Sequence, residues 1–128
     1  MNLIEKLVHG SGPPGTVQDE RGIAAFYPTL SVQNLHVVSL NPGAVRGNHS
    51  HNQDEVMCVL GGEHICEITV AEATDPNMTE TVVAELPLES YRIRGGLRHT
   101  VRNIGEKVFY LVCFLAGEPT DENPVSSS

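Results

Sequence analysis

Tryptophan is absent, and aromatic residues make up only 5 % of the 128 positions. The core must therefore be built from Val, Ile, Leu and Ala, each burying less surface than an aromatic ring. Basic residues are scarce too, eight against sixteen acidic, for a formal charge of −8. A surface this acidic repels phosphate backbones and anionic lipid, so neither nucleic acid nor a membrane is expected as a partner. No apolar run approaches the ~20 residues of a membrane-spanning helix. The opening MNLIEKLVHG lacks both the basic start and the apolar stretch of an export signal, so a cytoplasmic protein is expected. Cysteine is limited to Cys58, Cys66 and Cys113, an odd number with no CxxC pair, each in an apolar run. They read as small buried hydrophobes in a reducing compartment.

What is present is a series of short runs rich in Val, Ile or Thr. They begin at Gly22, Val32, Glu55, Glu63, Glu80, Glu89, Arg98 and Lys107, and many are parted by turn signals such as Asn41-Pro42-Gly43, Asp75-Pro76-Asn77 and Gly95-Gly96. Seven or eight such strands without a long helix predict an all-β sandwich or barrel. The length suits one domain spanning residues 1–128, with a barrel core over about 20–116. Leu3, Ile4, Leu7 and Val8 have helical spacing, so residues 1–19 are expected to form a short amphipathic arm. The polar tail 117–128 is expected to fray. Gly61-Gly62 fits a two-residue hairpin, which would pair Val59 with His64, Met57 with Cys66 and Glu55 with Ile68. Alternation sets His64, Cys66, Ile68 and Val70 on one strand face.

The chemistry gathers in GAVRGNHSHNQDEVMCVLGG, residues 43–62. His49 and His51 are two apart, so a strand aims both rings to one side. Glu55 opens the next strand on the face of Met57 and Val59. An inward carboxylate without a partner costs several kcal/mol or shifts its pKa, so a cation beside it is expected. Imidazole and carboxylate are good ligands for first-row divalent metals. GGLRHTVRN supplies His99 on a later strand, with Val101 and Asn103 on its face.

These residues resemble the cupin superfamily. Its first motif, G-x5-H-x-H-x3-E-x6-G, is met at Gly43, His49, His51, Glu55 and Gly62. Its second, G-x5-P-x-G-x2-H-x3-N, is met at Gly96, His99 and Asn103, whereas Leu88 and Arg94 replace the leading glycine and the proline. The resemblance implies an antiparallel jelly-roll barrel with one divalent transition metal (Fe, Mn, Ni or Zn) held by His49, His51, Glu55 and His99. A metalloenzyme acting on a small, anionic organic molecule is the leading expectation. Catalytic residues cannot be assigned from the spacing.

Half of all basic residues, Arg92, Arg94, Arg98 and Arg102, surround His99. Arg98 and Arg102 fall on the face opposite His99. Arg92 or Arg94, with Tyr91 nearby, is the candidate for holding an anionic substrate, because guanidinium grips carboxylate or phosphate with two hydrogen bonds. His64 is a further substrate-binding candidate, while His36, alternating with apolar residues, reads as a packed or rim histidine. DERG at 19–22 and RGNHSH at 46–51 are similar to segments of cupin-type enzymes that act on nucleotide-linked sugars. That likeness implies the alternative, an isomerase or epimerase with histidine acid/base groups. A metabolite-binding cupin without turnover is the third possibility. Sheet edges and the apolar arm need cover, and a homodimer is expected.

Overall fold

β-Branched residues alternating with polar ones favour a pleated, half-buried strand over a helix. The computed structural model describes residues 3–7, 15–26, 31–49, 51–75 and 77–116, and they form strands and turns with no helix. The tail at 117–128 lies outside the described residues. The strands are β1 (Ile4–Lys6), β2 (Gly15–Asp19), β3 (Gly22–Phe26), β4 (Val32–Leu40), β5 (Val45–His49), β6 (Asp54–Leu60), β7 (Cys66–Glu72), β8 (Thr79–Val83), β9 (Ser90–Ile93), β10 (Leu97–Asn103) and β11 (Phe109–Ala116). One sheet runs β1-β9-β6-β11-β4, a second runs β5-β10-β7-β8, and β2 and β3 form a hairpin of their own. All pairings are antiparallel. No helix of the described residues is long and apolar enough to cross a membrane.

The two large sheets face each other. Met57, Val59, Phe109 and Leu111 from the first meet Cys66, Ile68, Val70, Leu97 and Val101 from the second in one buried cluster. Each fully buried aliphatic side chain contributes roughly 1.5–3 kcal/mol of transfer free energy. All three cysteines are buried thiols, and burial pushes that of Cys66 up to about 12. A smaller cluster of Val56, Phe114 and Ala116 with Leu7 covers the outer side of β6 and β11. This second layer explains why β6 is buried on both faces and reads as a continuous apolar run.

Two expectations are corrected. The start of the chain is no helical arm: β1 is an edge strand with Ile4 opposite Ile93, and Glu80 Oε1 accepts hydrogen bonds from Leu3 N (2.6 Å) and Ile4 N (2.8 Å). Strand β2 also lies within the segment assigned to the arm, and Val8 lies outside the described residues. Nor do Gly61 and Gly62 make a hairpin, because β6 pairs with β9 and β11 while β7 pairs with β8 and β10. They form a corner between the sheets, where Gly62 O accepts from Ile65 N at 3.1 Å and Cys66 N at 3.2 Å. The corner is tight: a Cβ on Gly62 would sit 2.5 Å from Val59 Cγ1. The expected inward face survives from Cys66 onward, with Cys66, Ile68 and Val70 fully buried. His64 falls in the corner instead, at φ 65° and exposed.

Candidate functional site

The site forms where β4, β6 and β11 of one sheet meet β5 and β10 of the other. The alternation of β10 turns Leu97, His99, Val101 and Asn103 inward and leaves Arg98 and Arg102 exposed, as the sequence predicts. Arg102 pairs with Glu67 at 3.0 Å. Asn103 braces the far end of the strand. Its amide donates to Leu40 O (3.0 Å) and Lys107 O (2.7 Å), and its Oδ1 accepts from Gly105 N (2.9 Å).

Glu55 and His99 reach each other across the gap between sheets. His99 Nε2 lies 2.8 Å from Glu55 Oε1, and His51 Nε2 lies 3.6 Å from the same oxygen. All three residues are buried, at 3 % exposure for His99, 4 % for Glu55 and 7 % for His51. The two rings stand 5.6 Å apart. His49 is opposite His99 in the β5–β10 ladder, but its side chain lies outside the described residues. Three of the four expected metal ligands are thus brought together.

Burial pushes the Glu55 carboxyl up. The hydrogen bond from His99 and the charges of His99, His51 and His36 outweigh it, and the net pKa lies below the ordinary carboxylate range. A group with a lower pKa folded than unfolded stabilises fully above its unfolded value, and loses that contribution as pH falls through its folded value. Acid unfolding of Glu55→Gln should therefore show a flatter stability loss below about pH 4 than the parent, as read by urea titration across pH.

The loop bearing His51 is strapped to the turn that leads into β10. Gly96 N donates to His51 O at 2.6 Å. Asp54 accepts from Gly95 N through Oδ1 and from Arg92 Nε through Oδ2, both at 2.8 Å. A Cβ on Gly95 would lie 3.0 Å from the Asn52 carbonyl oxygen. These contacts fix His51 relative to His99. Gly47 lies beside them, at φ 110°, where a Cβ would stand 2.6 Å from the His99 carbonyl oxygen. Gly47→Ala should cost about 2 kcal/mol in urea unfolding and shift the His99 ring resonances.

The cavity above these groups opens to solvent and has a volume of about 40 Å³. Met57, Val101 and Leu111 make its apolar wall; His36, Arg46 and Cys113 also line it. These last three were not singled out as site residues in the sequence. The alternation of β4, which turns His36 inward with Val38 and Leu40, was the available signal for the first. The four substrate-binding candidates stand elsewhere. Tyr91 is buried with its hydroxyl donating to Glu89. Arg92 is engaged with Asp54, and Arg94 borders a separate surface groove with it. His64 is in the exposed corner. None of them lines this cavity.

The donor set of His51, Glu55 and His99 suits a metal. Their ligand atoms lie within 4.8 Å of one another. Bonds of about 2.0–2.2 Å at octahedral or tetrahedral angles put neighbouring ligands roughly 3.0–3.5 Å apart, and the two observed separations, 2.8 and 3.6 Å, bracket that range. The residues therefore fit an ion as well as an acid/base network.

No protein-family model matches the chain, and no curated protein matches its sequence. Solved structures do match in shape. QdtA, a sugar 3,4-ketoisomerase from Thermoanaerobacterium thermosaccharolyticum in complex with TDP, superposes with a TM-score of 0.67 at 16 % identity, over 98 % of this chain and 88 % of that one. The fold is a cupin barrel. A 3,4-ketoisomerase from Helicobacter canadensis gives a TM-score of 0.67 at 18 % identity, over 98 % of this chain and 90 % of its own. NovW, a 4-keto-6-deoxy sugar epimerase from the novobiocin cluster of Streptomyces spheroides, gives 0.62 at 16 %, over 89 % and 65 %.

Proposed function

We propose that this cupin is an isomerase or epimerase of a keto sugar carried on a nucleoside diphosphate. One observation carries the proposal: two buried imidazoles share a carboxylate on the floor of an open cavity, with His99 Nε2 2.8 Å from Glu55 Oε1. A carboxylate on one ring nitrogen orients an imidazole and stabilises its protonated form. Such a ring can take a proton from the carbon beside a ketone, leaving an enediolate. Delivery of the proton to the neighbouring carbon, with the hydroxyl proton passing to the former carbonyl oxygen, moves the carbonyl; delivery of a proton by a second acid on the opposite face inverts the centre. His51, 3.6 Å from Glu55, is the second proton carrier. Arg46 at the cavity wall is the group suited to a diphosphate. The likeness in fold to sugar ketoisomerases along nearly the whole chain supports the same chemistry.

The test uses TDP-4-keto-6-deoxyglucose, the compound bound in a similar structure. In heavy water, NMR should show deuterium entering beside the ketone and a rearranged sugar accumulating. Absence of exchange across a panel of nucleotide-linked keto sugars overturns the proposal. A second reading rests on the donor set: His51, Glu55 and His99, joined by His49, hold a divalent ion that supplies a Lewis acid to a small anionic substrate. Chelation separates the two. Exchange is unchanged by removing metal if imidazoles alone move the proton, and is lost if the ion is required.

A homodimer belongs to the same proposal. Strand β4 is a sheet edge, and Val32, Leu35 and Val37 on it are exposed by 53, 64 and 62 %. A long apolar edge of this kind is normally covered. Light scattering should return twice the 13.9 kDa of one chain; a monomer mass refutes the dimer.

A further inference from the structure

We propose that His36, Glu55 and Cys113 form a second cation site in the same cavity, suited to a borderline-soft divalent ion such as zinc or cobalt. Three adjacent strands, β4, β11 and β6, carry these residues on their inner face. The register puts Cys113 directly opposite His36 on one side and Met57 on the other, so Glu55, two residues before Met57, is its diagonal neighbour. The ligand atoms of the three lie within 4.8 Å of one another. His36 Nε2 faces Glu55 Oε2 at 3.9 Å.

The histidine is prepared for this role by its own strand. His36 Nδ1 lies 2.7 Å from Asn34 O, and a carbonyl can only accept, so Nδ1 carries the proton and donates it. Metal-binding histidines typically donate their other ring N–H to a carbonyl or carboxylate in this way, which fixes the coordinating nitrogen. Asn34 itself has φ 56°, a backbone state uncommon outside glycine. That strain sits at the residue whose carbonyl orients the ring.

Glu55 serves both groups without moving. Oε1 faces His99 and His51, and Oε2 faces His36. The two sites are therefore neighbours joined by one carboxylate. Nitrogen, oxygen and sulfur donors favour zinc or cobalt over magnesium or calcium. Cys113 enters as thiolate and releases its proton to solvent when the ion binds. Three protein ligands leave a fourth position facing the cavity, the pattern of a catalytic rather than a structural zinc. His36, whose side chain is 37 % exposed, marks the entry path.

The experiment titrates metal-stripped full-length protein with cobalt chloride and reads the near-ultraviolet thiolate-to-cobalt charge-transfer band. The band should rise and saturate in the parent, and persist in H51N/H99N, which removes the imidazoles of the other set. It should vanish in Cys113→Ala. His36→Gln alters a partly exposed residue on an edge strand and so keeps the fold, and it should weaken cobalt affinity at least tenfold. Cobalt binding without a sulfur band, a band that survives Cys113→Ala, or an affinity unchanged by His36→Gln each overturns the site. If Cys113→Ala fails to fold by circular dichroism, the His36→Gln arm decides. No turnover is measured, so the result is independent of the sugar isomerase reading.

Discussion

Exchanging His99 for Gln is expected to lower kcat/KM for the proposed sugar-nucleotide isomerisation by roughly 10²–10⁴, the usual worth of a positioned general acid/base. Gln approximates the size of imidazole and can still hydrogen-bond to Glu55, so β10 should keep its place between β5 and β7. It cannot carry a proton at neutral pH. The loss should therefore fall on kcat rather than KM, and deuterium exchange into substrate should fall with it. Glu55→Gln makes the companion variant: its amide can still meet the ring, but the charge that favours a protonated imidazole is gone. A smaller loss, about 10–100-fold, is expected there. Full activity in His99→Gln would remove His99 from the chemistry, however well the protein folds.

The largest stability loss is expected on the opposite side of the barrel, at Glu89. Its carboxylate is fully buried. It accepts hydrogen bonds from the Tyr91 hydroxyl and from Glu85 N at 3.2 Å, and pairs with Lys6 Nζ at 3.1 Å. Burial alone would push this carboxyl up, but the Tyr91, Glu85 and Lys6 contacts outweigh it, and the net pKa lies below the ordinary range. Glu89→Ala deprives a buried phenol of its acceptor, removes the ion pair with Lys6 of β1 and opens a void. A loss of about 3 kcal/mol is expected, discounted for the half-exposed Lys6. Urea unfolding measures it through the midpoint with the slope held. Glu89→Gln, which keeps an acceptor for Tyr91, should lose about 1 kcal/mol. Equal losses in the two variants would mean that the lost charge, which both share, dominates over the void and the hydrogen bond to Tyr91.

Local pattern carried the strand framework far. β4 is legible from Val32 to Leu40 because its residues alternate, and β10 because Leu97, His99, Val101 and Asn103 do. Glu55 was legible for a similar reason, since β6 turns it inward with Met57 and Val59, whereas His51 lies in the loop between β5 and β6 and is placed by contacts to the turn before β10 rather than by strand spacing. What escaped depends on partners distant in sequence. Leu3, Ile4 and Leu7 have helical spacing, yet β1 is a strand because β9 offers an open edge. Gly61-Gly62 has hairpin chemistry, yet the flanking strands belong to different sheets. Arg46, His36 and Cys113 are single residues in separate strands, and only the register of β4 against β11 and the closure of the two sheets bring them to one cavity. That Arg92 stands beside Asp54, away from this cavity, is likewise something nothing local reveals.

The pairing of β1 with β9 has a consequence for the order in which the protein assembles. Ile4 is synthesised long before its partner Ile93. Until then Leu3 and Ile4 lack the strand they pair with, and this apolar segment stays available to chaperones or to other unfinished copies. That edge of the barrel can close only after β9 has been made.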